Sequence, residues 1–219
     1  MQAATELGIE RVIHTSTSET YGTAQFVPIN EKHPLVGQSP YSASKIGADQ
    51  LSISYYRSFN LPVKIVRPFN TYGPRMRLND GRALPTFIGQ CLRGDNITVF
   101  GDGSQTRSFC YVDDLVEGVY KLLLSNYQYP VNIGNPSEIS LKDFAKEILN
   151  LADSKTKIIY KPLPIDDPKQ RRPDIKKAKA ILDWTPKVDR KKGLKITYNY
   201  FKSLPKSELI KKPKVFISK

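Results

Sequence analysis

The chain has 219 residues, with 34 Lys and Arg against 21 Asp and Glu and a net charge of +13. That length buries one good core, or one and a half, and no stretch approaches the ~20 apolar residues of a membrane helix. Cys91 and Cys110 form no metal or redox spacing, His14 and His33 are too scattered for a zinc site, and MQAATELGIERV lacks the regions of a signal peptide, so the expectation is a cytoplasmic protein without metal.

Residues 2–8 read as the end of a helix capped by Gly8. Residues 10–16 read as a strand, entered through Arg11-Val12-Ile13. The chain then passes through hydroxyls and one carboxylate, Thr15-Ser16-Thr17-Ser18-Glu19. Residues 22–38 read as a loop. Ser39-Pro40 predicts a helix start with Pro in the first turn, continuing to about Phe59. Val63 to Arg67 reads as a buried strand. Strand, helix and strand at this spacing make a βαβ unit and hence a parallel sheet.

The segment Pro68 to Arg75 is too rich in Pro and Gly for an element interior. A helix is predicted from about Leu84 to Arg93, then a short strand Ile97 to Phe100 before the turn Gly101-Asp102-Gly103. Phe109 to Val112 reads as another strand. Asp113 to Leu124 reads as a helix with acids in its first turn, as the helix dipole prefers. Val131 to Gly134 is a predicted strand, Ser140 caps a helix through Leu151, and Ile158 to Tyr160 is a strand. Short helices follow over Pro173 to Leu182 and residues 193–203. No internal repeat is present.

Charge is divided unevenly. Residues 1–154 carry 14 basic and 15 acidic side chains, whereas residues 155–219 carry 20 and 6. Such a segment could attract nucleic acid or an acidic surface. It lacks regularly interleaved aromatics, and Pro205 and Pro213 interrupt it, so a solvated tail is preferred, with a few arginines facing a phosphorylated ligand.

Tyr41 and Lys45 stand four residues apart and share one helix face. An ammonium beside a phenol favours the phenolate, the form a general base needs. A hydroxyl from the Ser/Thr cluster could sit beside that phenol. The group would then take a proton from a substrate alcohol while a cofactor takes the hydride. The spacing alone is weak evidence, because Tyr198 and Lys202 repeat it. The order carries more: strand, hydroxyl cluster with Tyr21-Gly22, loop, Ser39-Pro40-Tyr41, helix.

That order resembles the extended short-chain dehydrogenase/reductase family, the nucleotide-sugar epimerases, dehydratases and decarboxylases, over nearly the whole chain. The resemblance implies Tyr41 as base, Lys45 as its tuner and nicotinamide ribose ligand, Thr17 as the hydroxyl that positions the sugar, and Glu19 as a carboxylate near C5. It implies NAD as cofactor, with Pro68 and Thr71 beside Tyr41 and Lys45. Arg67-Pro68-Phe69-Asn70-Thr71-Tyr72-Gly73-Pro74-Arg75 is similar to the family segment that passes the nicotinamide and reaches the sugar phosphates, which arginine pairs bidentately. Asn79-Asp80-Gly81-Arg82, Gly103-Ser104-Gln105-Thr106-Arg107 and Asp167-Pro168-Lys169-Gln170-Arg171 resemble UDP-glucuronate decarboxylases most. Asn70, Arg75, Arg82, Arg107 and Arg171 are the implied substrate ligands. The triplet Thr17-Ser18-Glu19 lacks the Asp that 4,6-dehydratases use to protonate a leaving hydroxyl. The tyrosine region, Ser39 to Lys45, is nevertheless closer to 4,6-dehydratase-like members.

The fold class expected is α/β: the C-terminal part of a Rossmann-like parallel sheet with a smaller mixed α/β substrate-binding lobe. Residues 1–75 are expected to be what remains of the NAD-binding domain. Residues 76–204 are mainly the substrate lobe, with some elements returning, and residues 205–219 form a basic flexible tail. The family's Gly-x-x-Gly-x-x-Gly turn, which holds a pyrophosphate at a helix N-terminus, is absent from the sequence. Met1 therefore reads as an internal start. The expected function is NAD-dependent decarboxylation of UDP-glucuronate to UDP-xylose by a homodimer. The alternatives are a 4,6-dehydratase or 4-epimerase, and a truncated, non-catalytic sugar-nucleotide binder. A nucleic-acid binder ranks last.

Overall fold

The computed structural model describes residues 1–78, 80–162 and 170–209. In chain order the elements are α1 (Gln2–Glu6), β1 (Val12–Thr15), a 3₁₀ turn (Ser18–Tyr21), α2 (Pro40–Phe59), β2 (Val63–Pro68), β3 (Thr71–Tyr72), α3 (Ala83–Arg93), β4 (Ile97–Phe100), β5 (Thr106–Ser108), β6 (Cys110–Tyr111), α4 (Val112–Leu124), β7 (Pro130–Ile133), β8 (Glu138–Ser140), α5 (Leu141–Ala152), β9 (Ile158–Lys161), α6 (Lys176–Leu182), α7 (Arg190–Lys202) and α8 (Lys206–Leu209). They fall into two compact units. The first comprises residues 1–71, 108–137 and 170–187; the second comprises the described parts of 72–107, 138–169 and 188–219.

In the first unit β1, β2 and β7 form a parallel sheet with β2 in the middle. Val12 pairs with Val63, and Ile65 with Pro130. The predicted βαβ unit is thus present. Alternate residues of a strand face opposite sides. Val63 and Ile65 pack with Leu61 against Ala4 of α1 and Ile53 of α2. Val66 faces the other way, into a core with Leu122, Ile133, Ala178 and Trp184. Trp184 is fully buried, and its indole N–H donates to the Asp114 carbonyl at 2.9 Å.

Helix α2 begins where Ser39-Pro40 predicts. Ser39 Oγ accepts the Ser42 amide at 3.1 Å, and Ser42 Oγ accepts the Ser39 amide at 2.9 Å. This reciprocal cap satisfies two donors that a helix start leaves open. Asn60 ends the helix in the left-handed region, φ 53. Its buried residues are Ser42, Asp49 and Ser52 rather than an apolar stripe.

Close approach decides the packing of α4. A Cβ on Gly118 would lie 2.8 Å from Ile133 Cγ2 and 3.1 Å from Trp184 Cε2. Gly118→Ala is expected to cost about 1–3 kcal/mol through overpacking. Urea unfolding of the variant beside the parent checks this.

The second unit pairs β4 with β9 in parallel, Ile97 opposite Ile158 and Phe100 opposite Lys161. Its core holds Leu84, Phe87, Ile88, Val99, Phe144, Ile148, Leu194 and Phe201, all buried. Arg190 grips Glu147 through two nitrogens, at 3.0 and 2.9 Å.

Three differences from the sequence reading stand out. Thr17 to Tyr21, to which the sequence reading assigns no element, closes a 3₁₀ turn, because the Thr17 side chain accepts the Glu19 amide. The first stretch of the first unit runs to Thr71, whereas the sequence reading places that boundary at Arg75: the Asn70 carbonyl is held by the Cys110 amide at 2.8 Å, residues 72–107 belong to the second unit, and the chain returns to the first at Ser108. Lys206–Leu209, within the segment expected to be a flexible tail, forms α8, with the Glu208 amide donating to the Pro205 carbonyl at 2.9 Å. Among the described residues, no helix is long and apolar enough to cross a membrane, and no three His, Cys, Asp or Glu are grouped to hold a metal.

Candidate active site

Parallel strands deliver their C-terminal ends to one edge of the sheet, and ligand sites in open α/β sheets lie outside those ends. In the first unit that edge carries the 3₁₀ turn after β1 and the Pro68–Thr71 segment after β2. Thr17 caps the turn, its hydroxyl oxygen accepting from the Glu19 amide at 3.2 Å. Glu19 is exposed and Ser18 is buried. Gly22 ends the turn at φ 62, where a Cβ would stand 2.8 Å from the Val36 carbonyl oxygen. Only glycine suits that corner. The Thr20 carbonyl accepts the Val36 amide at 2.9 Å, which ties the turn to the following loop.

Tyr41 lies in the first turn of α2 and is 50% exposed. Lys45 Nζ sits 5.9 Å from the Tyr41 ring centroid and donates to the Thr15 carbonyl at 2.9 Å. The lysine thus links α2 to the end of β1, two residues before Thr17. The helix also packs on the 3₁₀ turn. The structure therefore places Thr17, Glu19, Tyr41 and Lys45 on elements that touch one another.

Asn70 and Thr71 follow β2. The Thr71 hydroxyl donates to the Phe69 carbonyl at 2.9 Å. Arg171 is half-buried, and its carbonyl accepts the Ser108 hydroxyl at 3.2 Å. Its neighbours are pinned to a buried residue of the first unit: the Ile29 amide donates to the Arg172 carbonyl at 2.8 Å, and the Asp174 amide to the Ile29 carbonyl at 2.8 Å.

Arg75, Arg82 and Arg107 belong to the second unit. Arg75 takes the left-handed region, φ 66. It lines a cavity of about 420 Å³ with Met76, Arg77, Leu78, Tyr200, Leu204 and Glu208. Arg82 precedes α3 and is held by Asp80, with Nε donating to Oδ2 at 2.8 Å and a second, shorter contact from Nη2. Arg107 donates to the Thr106 carbonyl at 2.9 Å. Asn79, Asp167, Pro168 and Lys169, which carried part of the motif reading, lie outside the described residues.

Sequence reasoning missed a set of buried polar groups beneath this edge. Asp49 is fully buried on α2, where Arg67 Nε donates to its Oδ2 at 3.0 Å. Arg67 also donates to the Tyr21 hydroxyl at 3.1 Å, and that hydroxyl donates to Asn132 Oδ1 at 2.6 Å. One sequence signal could have found them: Arg67, like Lys64, is a charged residue in a strand whose other positions are apolar, and a buried charge demands a partner.

Similarity to known proteins follows the same lines. A family model described as GDP-mannose 4,6 dehydratase matches residues 1–197. UDP-glucuronic acid decarboxylase 1 of Danio rerio is 43% identical over 196 residues, 87% of this chain and 47% of that protein. UDP-glucuronic acid decarboxylase 3 of Arabidopsis thaliana is 42% identical over 197 residues, 88% of this chain and 58% of that protein. The solved UDP-glucuronic acid 4-epimerase from Bacillus cereus, in complex with UDP-glucuronic acid and NAD, aligns with a TM-score of 0.85 at 31% identity, covering 92% of this chain and 64% of that one. The fold class is therefore the Rossmann-like α/β class read from the sequence. The chain spans about half the length of the decarboxylases it matches.

Proposed function

This chain belongs to the GDP-mannose 4,6 dehydratase family, and from that premise we propose that it carries the catalytic face of an NAD-dependent UDP-glucuronate decarboxylase. One observation carries the reading: Tyr41 and Lys45 are stacked one helical turn apart, and Lys45 is tied to the strand that leads into Thr17 and Glu19. Tyr41 removes the proton of the sugar 4-hydroxyl. Lys45 stabilises the phenolate and holds the nicotinamide ribose, with Pro68 and Thr71 alongside. NAD, when bound, accepts the C4 hydride and returns it. The 4-keto acid then loses carbon dioxide from C5. The electron pair of the broken bond passes into an enolate that takes up a solvent proton at C5, and Glu19 is the carboxylate we assign to assist at that carbon. Tyr41 finally returns the proton to the 4-oxygen. Ser18 fits this chemistry, because no leaving hydroxyl needs an acid at that position, and its side chain is buried.

The residues fit the nicotinamide end of NAD: an exposed phenol, an ammonium beside it and a hydroxyl turn. No glycine-rich pyrophosphate cradle occurs in the 219 residues. Asn70, Arg75, Arg82, Arg107 and Arg171 are the proposed ligands of the UDP-sugar. Supporting a homodimer, α2 leaves Leu51 and Phe59 exposed. Both cysteines are free and buried, in keeping with a reducing cytosol.

Purified chain should bind NAD saturably in calorimetry with UDP-glucuronate present, and should release carbon dioxide and UDP-xylose. Inverted or dehydrated sugar products instead would assign a 4-epimerase or 4,6-dehydratase. One further reading is a non-catalytic sugar-nucleotide binder. That reading holds if folded chain binds UDP-glucuronate and never NAD.

A further inference from the structure

The buried polar groups left unused by the proposed chemistry form one continuous chain of contacts. Asp49 follows Lys45 by four residues and Tyr41 by eight, so all three lie along one side of α2. Its Oδ2 lies 3.0 Å from Arg67 Nε and 2.9 Å from Nη2, and its Oδ1 lies 3.2 Å from His14 Nε2. The remaining guanidinium nitrogen, Nη1, donates to the Tyr21 hydroxyl at 3.1 Å, and the guanidinium carbon stands 5.0 Å from the Tyr21 ring centroid. The Tyr21 hydroxyl in turn donates a hydrogen bond to Asn132 Oδ1 at 2.6 Å. Asn132 donates its side-chain amide to the Ile29 carbonyl at 3.0 Å and its backbone amide to Glu31 Oε1 at 2.9 Å.

The two ends of this chain sit on the two elements that the proposed reaction must align. Asp49 is on the helix of Tyr41 and Lys45. Tyr21 closes the 3₁₀ turn that Thr17 caps and that carries Glu19. Arg67, at the middle, is on the central strand. Asp49 and Arg67 are almost wholly buried. Burying such a pair is an expensive way to gain stability, since well-packed apolar residues generally do as well or better. What the pair adds is a directional link that apolar contacts lack. A misplacement of about 1 Å between reacting groups can cost about a hundredfold in rate.

We propose that the Asp49–Arg67–Tyr21 chain is a positioning device that sets the register between the Thr17–Glu19 turn and the Tyr41–Lys45 helix. This rests on the reading of those four residues as the reacting groups. Tyr21 is a fixed strut and not a second base. Burial raises its pKa to about 12 against the opposing pull of Arg67, so the phenol keeps the proton with which it hydrogen-bonds Asn132. Arg67, Asp49 and Tyr21 act through others and touch no reacting atom in this scheme.

The test uses the full chain with Tyr21→Phe, which removes one oxygen, Arg67→Lys, which can serve Asp49 but cannot also reach Tyr21, and Tyr55→Phe as control. Tyr55 is on the same helix and donates to Gln2 Oε1 at 3.1 Å, outside the chain of contacts. Amide hydrogen exchange needs no turnover. In Tyr21→Phe, the amides of residues 18–22 and those of residues 43–46 should exchange together, about tenfold faster than in the parent. The control should move neither. Faster exchange confined to residues 18–22, or the same joint change in Tyr55→Phe, overturns the proposal. Where the parent turns over UDP-glucuronate, Tyr21→Phe and Arg67→Lys should both lower kcat by about a hundredfold with KM within about threefold. An unchanged kcat in Tyr21→Phe also overturns it. A parent with no turnover sinks the decarboxylase reading alone, and the exchange result still decides the coupling.

Discussion

Asp49→Ala is expected to destabilise the chain by about 3–5 kcal/mol, the usual cost of removing one partner from a buried ion pair. Arg67 would keep its charge in a site that is only 2% exposed, with no carboxylate against it. His14 would lose its contact at 3.2 Å as well. Asp49→Asn keeps the volume and one acceptor, so it should cost less. The acid side provides a second reading of the same group. Burial pushes the Asp49 pKa upward, but His14, Arg67 and Ser16 together outweigh it and hold the carboxyl below its ordinary value. A carboxylate depressed in the folded state stabilises fully above its unfolded pKa, near 3.9, and that stability is lost as the pH falls through the folded value. The parent should therefore lose stability below about pH 4 more steeply than Asp49→Asn. Urea unfolding at neutral and acid pH measures both effects. An Asp49→Ala variant as stable as the parent would show that the pair carries no structural role.

Tyr41→Phe is expected to lower turnover of UDP-glucuronate by about 10²–10⁴, the range for a lost general base. The structure predicts that nothing else should change. Tyr41 is half exposed, its hydroxyl makes no hydrogen bond to another described residue, and its ring keeps its place near Lys45 when the oxygen is removed. Stability should stay within about 0.5 kcal/mol of the parent, as for ordinary surface substitutions. Binding of UDP-glucuronate, measured by calorimetry, should also be retained. A kcat close to that of the parent would remove Tyr41 from the mechanism. A loss of binding equal to the loss of kcat/KM would make it a ligand of the sugar and not a base.

Much of the fold was legible because its signals are local. Ser39-Pro40 marks a helix start whatever surrounds it, since the cap is made by Ser39 and Ser42 alone. The largely apolar run Val63-Lys64-Ile65-Val66 marks a buried strand, and two such strands around one helix imply parallel pairing. The stacking of Lys45 on Tyr41 needs only the 3.6-residue turn. The 3₁₀ turn at Ser18–Tyr21 was less legible, because hydroxyl-rich sequence offers the backbone several competing hydrogen bonds.

The sequence by itself therefore determined the parallel βαβ core, the helix that carries Tyr41 and Lys45, and the hydroxyl cluster that precedes it, but not the turn that cluster forms. Only the tertiary structure decided how these are held together. Tyr21 and Asn132 meet although they are 111 positions apart, and Arg67 finds Asp49 across 18. Only it could show that Arg75 lines a cavity beside Tyr200 and Leu204 in the second unit. No periodicity encodes such meetings. A charge in a strand states only that a partner must exist, because an unpaired ion in a low-dielectric core is too costly to keep. Which residue answers it is set by the packing of α2 on β2 and of β2 beside β7.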